Sequence, residues 1–420
     1  MKPRVVIIGG GIIGLCTAWY CCRKGFEVWL LERFDQQRDG CSFGNAGMIV
    51  PSHFIPLAAP GMVALGLKWM WRPDSPFYIR PRWDRELIRW GLRFWRAANH
   101  RRIAQVAPLL RDLNLASREC FLELAALPGM DAGLVTKGIL MLCQSEHGLA
   151  EEIKIAEQAR ALGLEAEVLD AAQVSRLNPG LSLNIHGAVL YPRDCHLVPE
   201  RFMQGLQRLV QQAGVTCLWR AHVHSWAVSG ARIRAVRLQN GREIAGDSFV
   251  LCAGVWSTEL VRPLGLSLPM QAGKGYSLTL PAPAQHPQMG CICTEARVAV
   301  TPMNGSLRVG GTMELSGLDE RVNPIRVQGI IRSFCRYFPA FAPSHFEGLQ
   351  PWVGLRPCSP DGLPYLGRPR AWENLWVATG HAMMGLSLGP ISGQILAQAI
   401  AGESPRRDLS LLAPDRYPST

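Results

Sequence analysis

The sequence predicts an α/β chain of two domains: a discontinuous Rossmann-like domain around a parallel sheet, and an α+β domain built on an antiparallel sheet. Three observations predict it. Arg4-Val5-Val6-Ile7-Ile8 is an apolar, β-branched run that leads into Gly9-Gly10-Gly11-Ile12-Ile13-Gly14; buried strand, glycine turn and helix in that order open a βαβ unit. Two further apolar runs that end in small residues, Phe249–Ser257 and Leu375–Ala378 into Thr379-Gly380-His381, lie far down the chain, so the first sheet is assembled from separated segments. From Gly273 to Leu315 the strands alternate in polarity between Gly, Pro and Asn-Gly breaks, which is the pattern of an antiparallel sheet. The first domain is expected to comprise residues 1–64, 195–260 and 351–420, and the second 65–194 and 261–350.

After the glycine turn, Leu15 to Arg23 reads as a helix and Phe26 to Leu31 as a second strand ending at Glu32. Gly9 allows the tight turn, Gly11 lets a pyrophosphate approach the backbone, and Gly14 lets helix and strand pack closely. Ile12 and Ile13 open a helix whose unpaired N–H groups and partial positive charge suit a diphosphate. Glu32 can accept hydrogen bonds from a ribose. With the right context on both sides of the turn, this segment reads as a dinucleotide site.

The 420-residue chain is long for one core, and 48% of it is hydrophobic, which suits a globular protein. The net charge of +11 makes nucleic acid or an anionic membrane partners to consider. Thirteen cysteines show no CxxC and no zinc-like spacing, and several lie on apolar runs such as Cys21-Cys22 and Cys291/Cys293. Buried reduced thiols, a cytoplasmic setting and no metal are therefore expected. Val5 to Cys22 and Trp376 to Gly402 carry no charged residue, but their glycines argue for a nucleotide fold and a buried core helix rather than membrane spans.

Cys41 to Met48 is small and Gly-rich and can bring backbone and hydroxyl donors against phosphates. His53 follows among prolines and is a candidate to face a substrate. Lys68 to Arg102 holds ten Lys/Arg, three Asp/Glu and five tryptophans, at 69, 71, 83, 90 and 95. Arg82, Arg85, Arg89, Arg93 and Arg96 recur at helical spacing, with Leu87, Trp90 and Phe94 opposite. This reads first as a solvated face over a Trp-rich packed side. The alternative is a basic amphipathic helix resting on anionic lipid. Nucleic acid is not expected, because the tryptophans sit with the core-facing residues.

Helices are expected from Leu109 to Leu127, Gly148 to Leu162, Asp170 to Leu177, Pro199 to Ala213 and Val322 to Phe338. Strands are expected at Gly138–Cys143, Val189–Tyr191, Val215–Trp219 and Ala221–Val228, with a hairpin over Arg232–Ala245 turning at Asn240-Gly241. Asp194-Cys195-His196 lacks a second ligand cluster at metal spacing.

Several of these stretches occur in the order seen in the D-amino acid oxidase superfamily of FAD-dependent amine oxidoreductases. They are the glycine turn with Glu32-Arg33, Ser42 to Met48, Val250 to Ser257, Gly354-Leu355-Arg356-Pro357 with Asp361-Gly362, and Gly380-His381 with Gly385. The chain most resembles bacterial D-amino acid dehydrogenases and is similar to glycine oxidases. Ser42-Phe43-Gly44-Asn45-Ala46-Gly47 and Ala58-Ala59-Pro60-Gly61-Met62 favour the dehydrogenase branch.

The resemblance implies noncovalent FAD. Glu32 and Arg33 would hold the AMP half. Ser42, Asn45, Ala46, Gly47 and Met48 would line the pyrophosphate and flavin edge, Val223 would meet adenine, and Gly254 would close over the nucleotide. Gly380, His381, Met384, Gly385 and Leu386 would present backbone N–H groups to the flavin. The Arg356 guanidinium would grip a substrate carboxylate with two parallel hydrogen bonds. Tyr276 would lend a hydroxyl to the substrate, His381 would mark where charge is stabilised, and Lys274 is a weaker candidate for holding a water. Met383 stands where glycine oxidases carry an arginine, which argues against glycine and for a more apolar pocket. Cys358 matches poorly the cysteine that carries flavin covalently in sarcosine oxidases.

The implied reaction is oxidation of the Cα–N bond of a small D-amino acid, by hydride transfer from Cα to flavin N5. Candidates include a cyclic amine such as D-proline or hydroxy-D-proline. No strong base is needed if the amine enters deprotonated. Electrons would pass to a quinone or carrier, and the basic helix would suit peripheral contact with the inner face of the cell membrane. The alternatives are an oxygen-using glycine or sarcosine oxidase and a non-catalytic FAD-binding protein.

Overall fold

The computed structural model describes residues 2–70, 74–404 and 407–418; Trp71 lies outside the described residues. The first sheet has six strands in the order Tyr365–Gly367, Leu375–Thr379, Ser248–Leu251, Arg4–Ile8, Glu27–Leu31, Thr216–Leu218. All pairs are parallel except the edge pair Tyr365–Gly367 with Leu375–Thr379. Val5, Val6 and Ile7 are fully buried, as the unbroken apolar run requires of a strand covered on both faces. One face carries the helices Ile12–Arg23, His100–Ala125, Pro199–Gln212 and Gly389–Ile400, which share one core. The other is covered by the three-stranded sheet Val223–Ser229, Arg232–Leu238, Glu243–Ala245.

The second sheet runs Trp352–Cys358, Gln271–Pro281, Ser306–Leu315, Val298–Pro302, Gly290–Cys293, Ile139–Cys143, Gly187–Tyr191, Glu167–Asp170. It is antiparallel apart from the pair Gly290–Cys293 with Ile139–Cys143, and a short strand Phe77–Ile79 that joins Ser306–Leu315 in parallel. The helix Pro324–Tyr337 packs on one face with Tyr276, Leu278 and Val309. The opposite face looks onto the first domain and forms one wall of the cavity described below.

The structure differs from the expected layout at several points, one being the helix His100–Ala125, which packs in the core of the first sheet. Trp352–Cys358 pairs along Gln271–Pro281, so the segment starting at 351 opens with a strand of the second sheet. The basic helix spans Arg85–Ala97, and Asp84 caps it by accepting from the N–H groups of Glu86 and Leu87. Arg82 lies before this cap, where it donates to Asp84, Gln271 and the Leu315 carbonyl. Trp90 is buried, but Trp83 is fully exposed and Trp95 is 64% exposed, so the tryptophans do not all face the core. The apolar helix Met62–Met70 was not anticipated. All thirteen cysteines are free thiols.

Candidate active site

A cavity of about 2060 Å³ runs between the two sheets. Its nucleotide end is built by the glycine turn. Gly9 has φ +106°, and a Cβ there would lie 2.4 Å from the Cys252 carbonyl oxygen. A Cβ on Gly14 would lie 1.8 Å from the Gly9 carbonyl oxygen, so the helix sits as close to the strand as the motif implies. Gly14 packs behind the wall, which Gly9, Gly11, Ile12 and Ile13 line. Ser42 Oγ accepts from the Ile12 N–H at 3.0 Å, joining the second Gly-rich loop to the helix N-terminus. Glu32 accepts from the N–H groups of Gly10 and Phe34 at 2.7 and 3.0 Å. These bonds aim its buried carboxylate into the cavity and leave further lone pairs for hydroxyl donors.

Arg33 stacks over Trp256 at 3.7 Å, and burial lowers its pKa. Val223 and Gly254 line the same end, and Thr379 Oγ1 donates to the Gly254 carbonyl. The sequence reading missed Arg38, which lines this end between the rings of Phe43 and Trp219 and donates to the Gly10 carbonyl. It lies in a polar loop with no motif to mark it. These cradle residues fit a dinucleotide: small where the backbone must be approached, with donors and a carboxylate at the two ends.

The loop that continues from Ser42 is braced from below. Asn45 Oδ1 accepts from the Gly47 N–H, so its side chain holds the turn while Asn45, Ala46 and Met48 line the cavity. A Cβ on Gly44 would fall 2.0 Å from the Trp352 indole, and one on Gly47 (φ +75°) 2.2 Å from the Leu197 carbonyl oxygen. Arg308, buried and paired with Glu200, donates to the carbonyls of Phe43 and Asn45. Arg308 is a positioning residue that only the three-dimensional structure exposes.

Arg356 reaches into the cavity from Trp352–Cys358. Its Nη1 donates to the Thr312 carbonyl at 2.9 Å and, at 3.5 Å, to that of Gly273. It has no carboxylate partner among the described residues, and burial lowers its pKa. The neighbouring strand makes room for it: a Cβ on Gly275 would lie 2.1 Å from Nη1. Thr312 has φ +68°, an uncommon conformation for a β-branched residue, and this turns its carbonyl toward the guanidinium. Met48, Ala46, Ile292, Ala299 and Met384 form an apolar cluster along the same cavity.

Strand alternation turns away the hydroxyl of Tyr276, expected at the substrate, and the amine of Lys274, the candidate for holding a water. Gly273 and Gly275 face Arg356, so Lys274 and Tyr276 point to the far face. Tyr276 donates to Glu314 at 2.9 Å in the core under Pro324–Tyr337. Lys274 is buried against Glu314 and Asp319, neither solvated nor at the site.

His381 is also spoken for. Its Nε2 meets Ser392 Oγ at 3.0 Å, and burial lowers its pKa to about 3, so it stays neutral and holds the following turn. Gly380, at φ +78°, makes that turn against the Tyr365 ring. Met383, Met384, Gly385 and Leu386 line the cavity beyond it. Cys358 packs on Met313 with its thiol pushed up to about 12 by burial.

His53 lines the cavity as well. Ser52 Oγ lies 3.2 Å from its Nδ1 and donates to the fully buried Asp194 at 2.5 Å. Burial lowers His53 to about 4 and raises Asp194 to about 7. Among the described residues no three His, Cys, Asp or Glu side chains converge as a metal site.

Residues 4–399 match the DAO family, described as FAD dependent oxidoreductase. A D-amino acid dehydrogenase of Rhizorhabdus wittichii is 33% identical over 99% of this chain and 100% of its own. The glycine oxidase of Geobacillus kaustophilus superposes with a TM-score of 0.78 at 22% identity, covering 99% of this chain and 100% of that one. The L-proline dehydrogenase of P. horikoshii does so at 0.73 and 17%, covering 99% and 97%. FAD is therefore the cofactor that the cradle serves, and the chain belongs to the DAO family of FAD-dependent oxidoreductases.

Proposed function

We propose that the enzyme oxidises the Cα–N bond of a D-amino acid, with a small or cyclic substrate such as D-proline or hydroxy-D-proline among the first to test. The observation that carries this reading is Arg356: a half-buried guanidinium, unpaired with any carboxylate among the described residues, held by two carbonyls in a cavity that also carries the apolar cluster around Met48 and Met384. A partly buried cation with no carboxylate partner is a site for an anion, and its fork matches a carboxylate. FAD supplies the acceptor for the hydride that leaves Cα. The protein grips the carboxylate through Arg356, orients Cα, and excludes water with Met48, Ile292, Ala299 and Met384. The resulting imino acid hydrolyses to a 2-oxo acid, or remains cyclic if the amine was secondary.

The names of the relatives support a dehydrogenase, with electrons leaving to a quinone or carrier. Peripheral contact with an anionic membrane belongs to the same proposal. No helix among the described residues is long and apolar enough to cross a membrane, and the exposed side of Arg85–Ala97 is the surface that would make the contact.

The test is anaerobic mixing of the yellow holoenzyme with D- and L-amino acids, glycine, sarcosine and D-prolines. Bleaching by a D-compound is expected, followed by slow recolouring in air; fast recolouring would make it an oxidase. Arg356→Ala is expected to retain FAD and lose on the order of 2–5 kcal/mol of substrate recognition, roughly 30-fold or more in kcat/KM. A flavin that no amine bleaches would overturn the reading in favour of a binding protein.

A further inference from the structure

We infer that His53, backed by Ser52 and Asp194, is the base that takes the ammonium proton from the bound substrate. This rests on the amino acid reading above. An amino acid arrives at neutral pH as an ammonium ion, and hydride can leave Cα only when the nitrogen lone pair is free to form the C=N bond. A group in the cavity that accepts one proton solves this. Arg356 and Arg297 can only donate. His381 and Tyr276 also border the cavity, but the His381 ring is bonded to Ser392 and the Tyr276 hydroxyl to Glu314. Glu151 and His147 lie at the exposed rim, while Glu152 is buried beside the Tyr191 hydroxyl.

His53 is placed differently. It sits on a segment that crosses the cavity. At one end the Val50 N–H is held by Ser387 Oγ at 3.1 Å. At the other, Leu57 packs with Met313, Cys358 and Ala382 beside Arg356. The imidazole and the guanidinium line the same cavity.

The hydrogen bonds behind the ring set its tautomer. With Asp194 ionised, the hydroxyl proton of Ser52 goes to Asp194 Oδ2, and the Ser52 N–H goes to Oδ1 at 3.0 Å. The Ser52 oxygen is then an acceptor for Nδ1–H, which leaves Nε2 unprotonated. Nε2 has no hydrogen-bond partner among the described residues. In the step, an ammonium N–H bond breaks, its electron pair stays on nitrogen, and an Nε2–H bond forms. The new positive charge is short-lived, because burial and Arg297 disfavour it, with the Ser52–Asp194 pair behind the ring. The other ionisable groups along this stretch are Arg297, Glu152 and Tyr191, and Arg297 opposes a lasting imidazolium, so the proton is passed on when product leaves.

The test is the rate of anaerobic flavin bleaching by saturating substrate, followed from pH 6 to pH 10 in holoenzyme and His53→Gln. Glutamine keeps polarity but cannot carry the proton. The variant is expected to be slower by roughly 10²–10⁴-fold at pH 7, with the deficit shrinking as pH rises and free amine is supplied by solution, at little changed substrate affinity. A rate within threefold of the parent, or a deficit equal at every pH, would overturn the assignment. If His53→Gln does not retain FAD, Ser52→Ala carries the test, expected to show a smaller deficit with the same pH trend. If no compound bleaches the parent enzyme, the amino acid reading itself falls and this inference with it.

Discussion

An alanine at position 275 would put its Cβ 2.1 Å from Nη1 of Arg356 and 2.5 Å from Cζ. The obstacle is the end of a flexible side chain, so the fold can survive while the guanidinium is pushed aside. Gly275→Ala is therefore expected to keep FAD and melt close to the parent, yet raise KM and lower kcat/KM by roughly 10- to 100-fold. A steady-state comparison on the same substrate checks it; unchanged kinetics would mean that Arg356 is not the anchor. The pair Gly275 and Tyr276 also shows what the sequence could and could not disclose. The segment was legible as site material, but a side chain with a hydroxyl drew attention where its neighbour without a side chain does the positioning. Strand alternation, applied from Gly273, would have put Gly275 on the site face and Lys274 with Tyr276 on the other.

At the scale of elements, the helix Arg85–Ala97 has two faces that the periodicity of its arginines did not separate. Leu87, Trp90 and Phe94 pack inward. Ile88, Leu92 and Trp95 form an exposed stripe at 49, 52 and 64%, beside Arg85, Arg89 and Arg96, with Trp83 fully exposed before the cap. Leu67 is also 58% exposed, on the helix Met62–Met70 that lines the cavity. Apolar residues next to arginines are what an interfacial helix needs. The solvated-face reading accounts for the arginines and not for this stripe. Vesicles with anionic lipid are expected to bind the protein in a salt-sensitive way. Replacing Trp83, Ile88, Leu92 and Trp95 by serine should weaken that binding by at least tenfold without changing flavin bleaching. Equal sedimentation of parent and variant with vesicles would remove this helix from the membrane reading.

At the scale of the molecule, the nucleotide sheet was legible because its strands are buried on both faces and its glycines are forced by backbone contact, at Gly9 and Gly14 above all. The second sheet was legible strand by strand, but not its edge. Trp352–Cys358 joins it through pairing with Gln271–Pro281, a contact that no local pattern encodes. Ionisable groups taken out of water at and around the shared cavity set an acid limit on stability. Burial lowers His381 to about 3 and both His53 and His196 to about 4. Between pH 6.5 and 4.5 the unfolded chain binds three protons at these positions that the native chain does not, so stability falls as pH falls. Asp194, raised to about 7, and Glu152, also raised, bind protons in the native state first and act in the opposite sense. Three histidines against two acids leave the unfolded state with the larger proton uptake, at about 1.4 kcal/mol per pH unit for each net proton. The holoenzyme is therefore expected to melt at a lower temperature at pH 5 than at pH 7, with FAD absorbance recorded alongside to separate unfolding from cofactor loss. A melting temperature that holds or rises on acidification would mean that these histidines are protonated in the native protein, and that the neutral His53 on which the proposed proton transfer depends is not the native state of the ring.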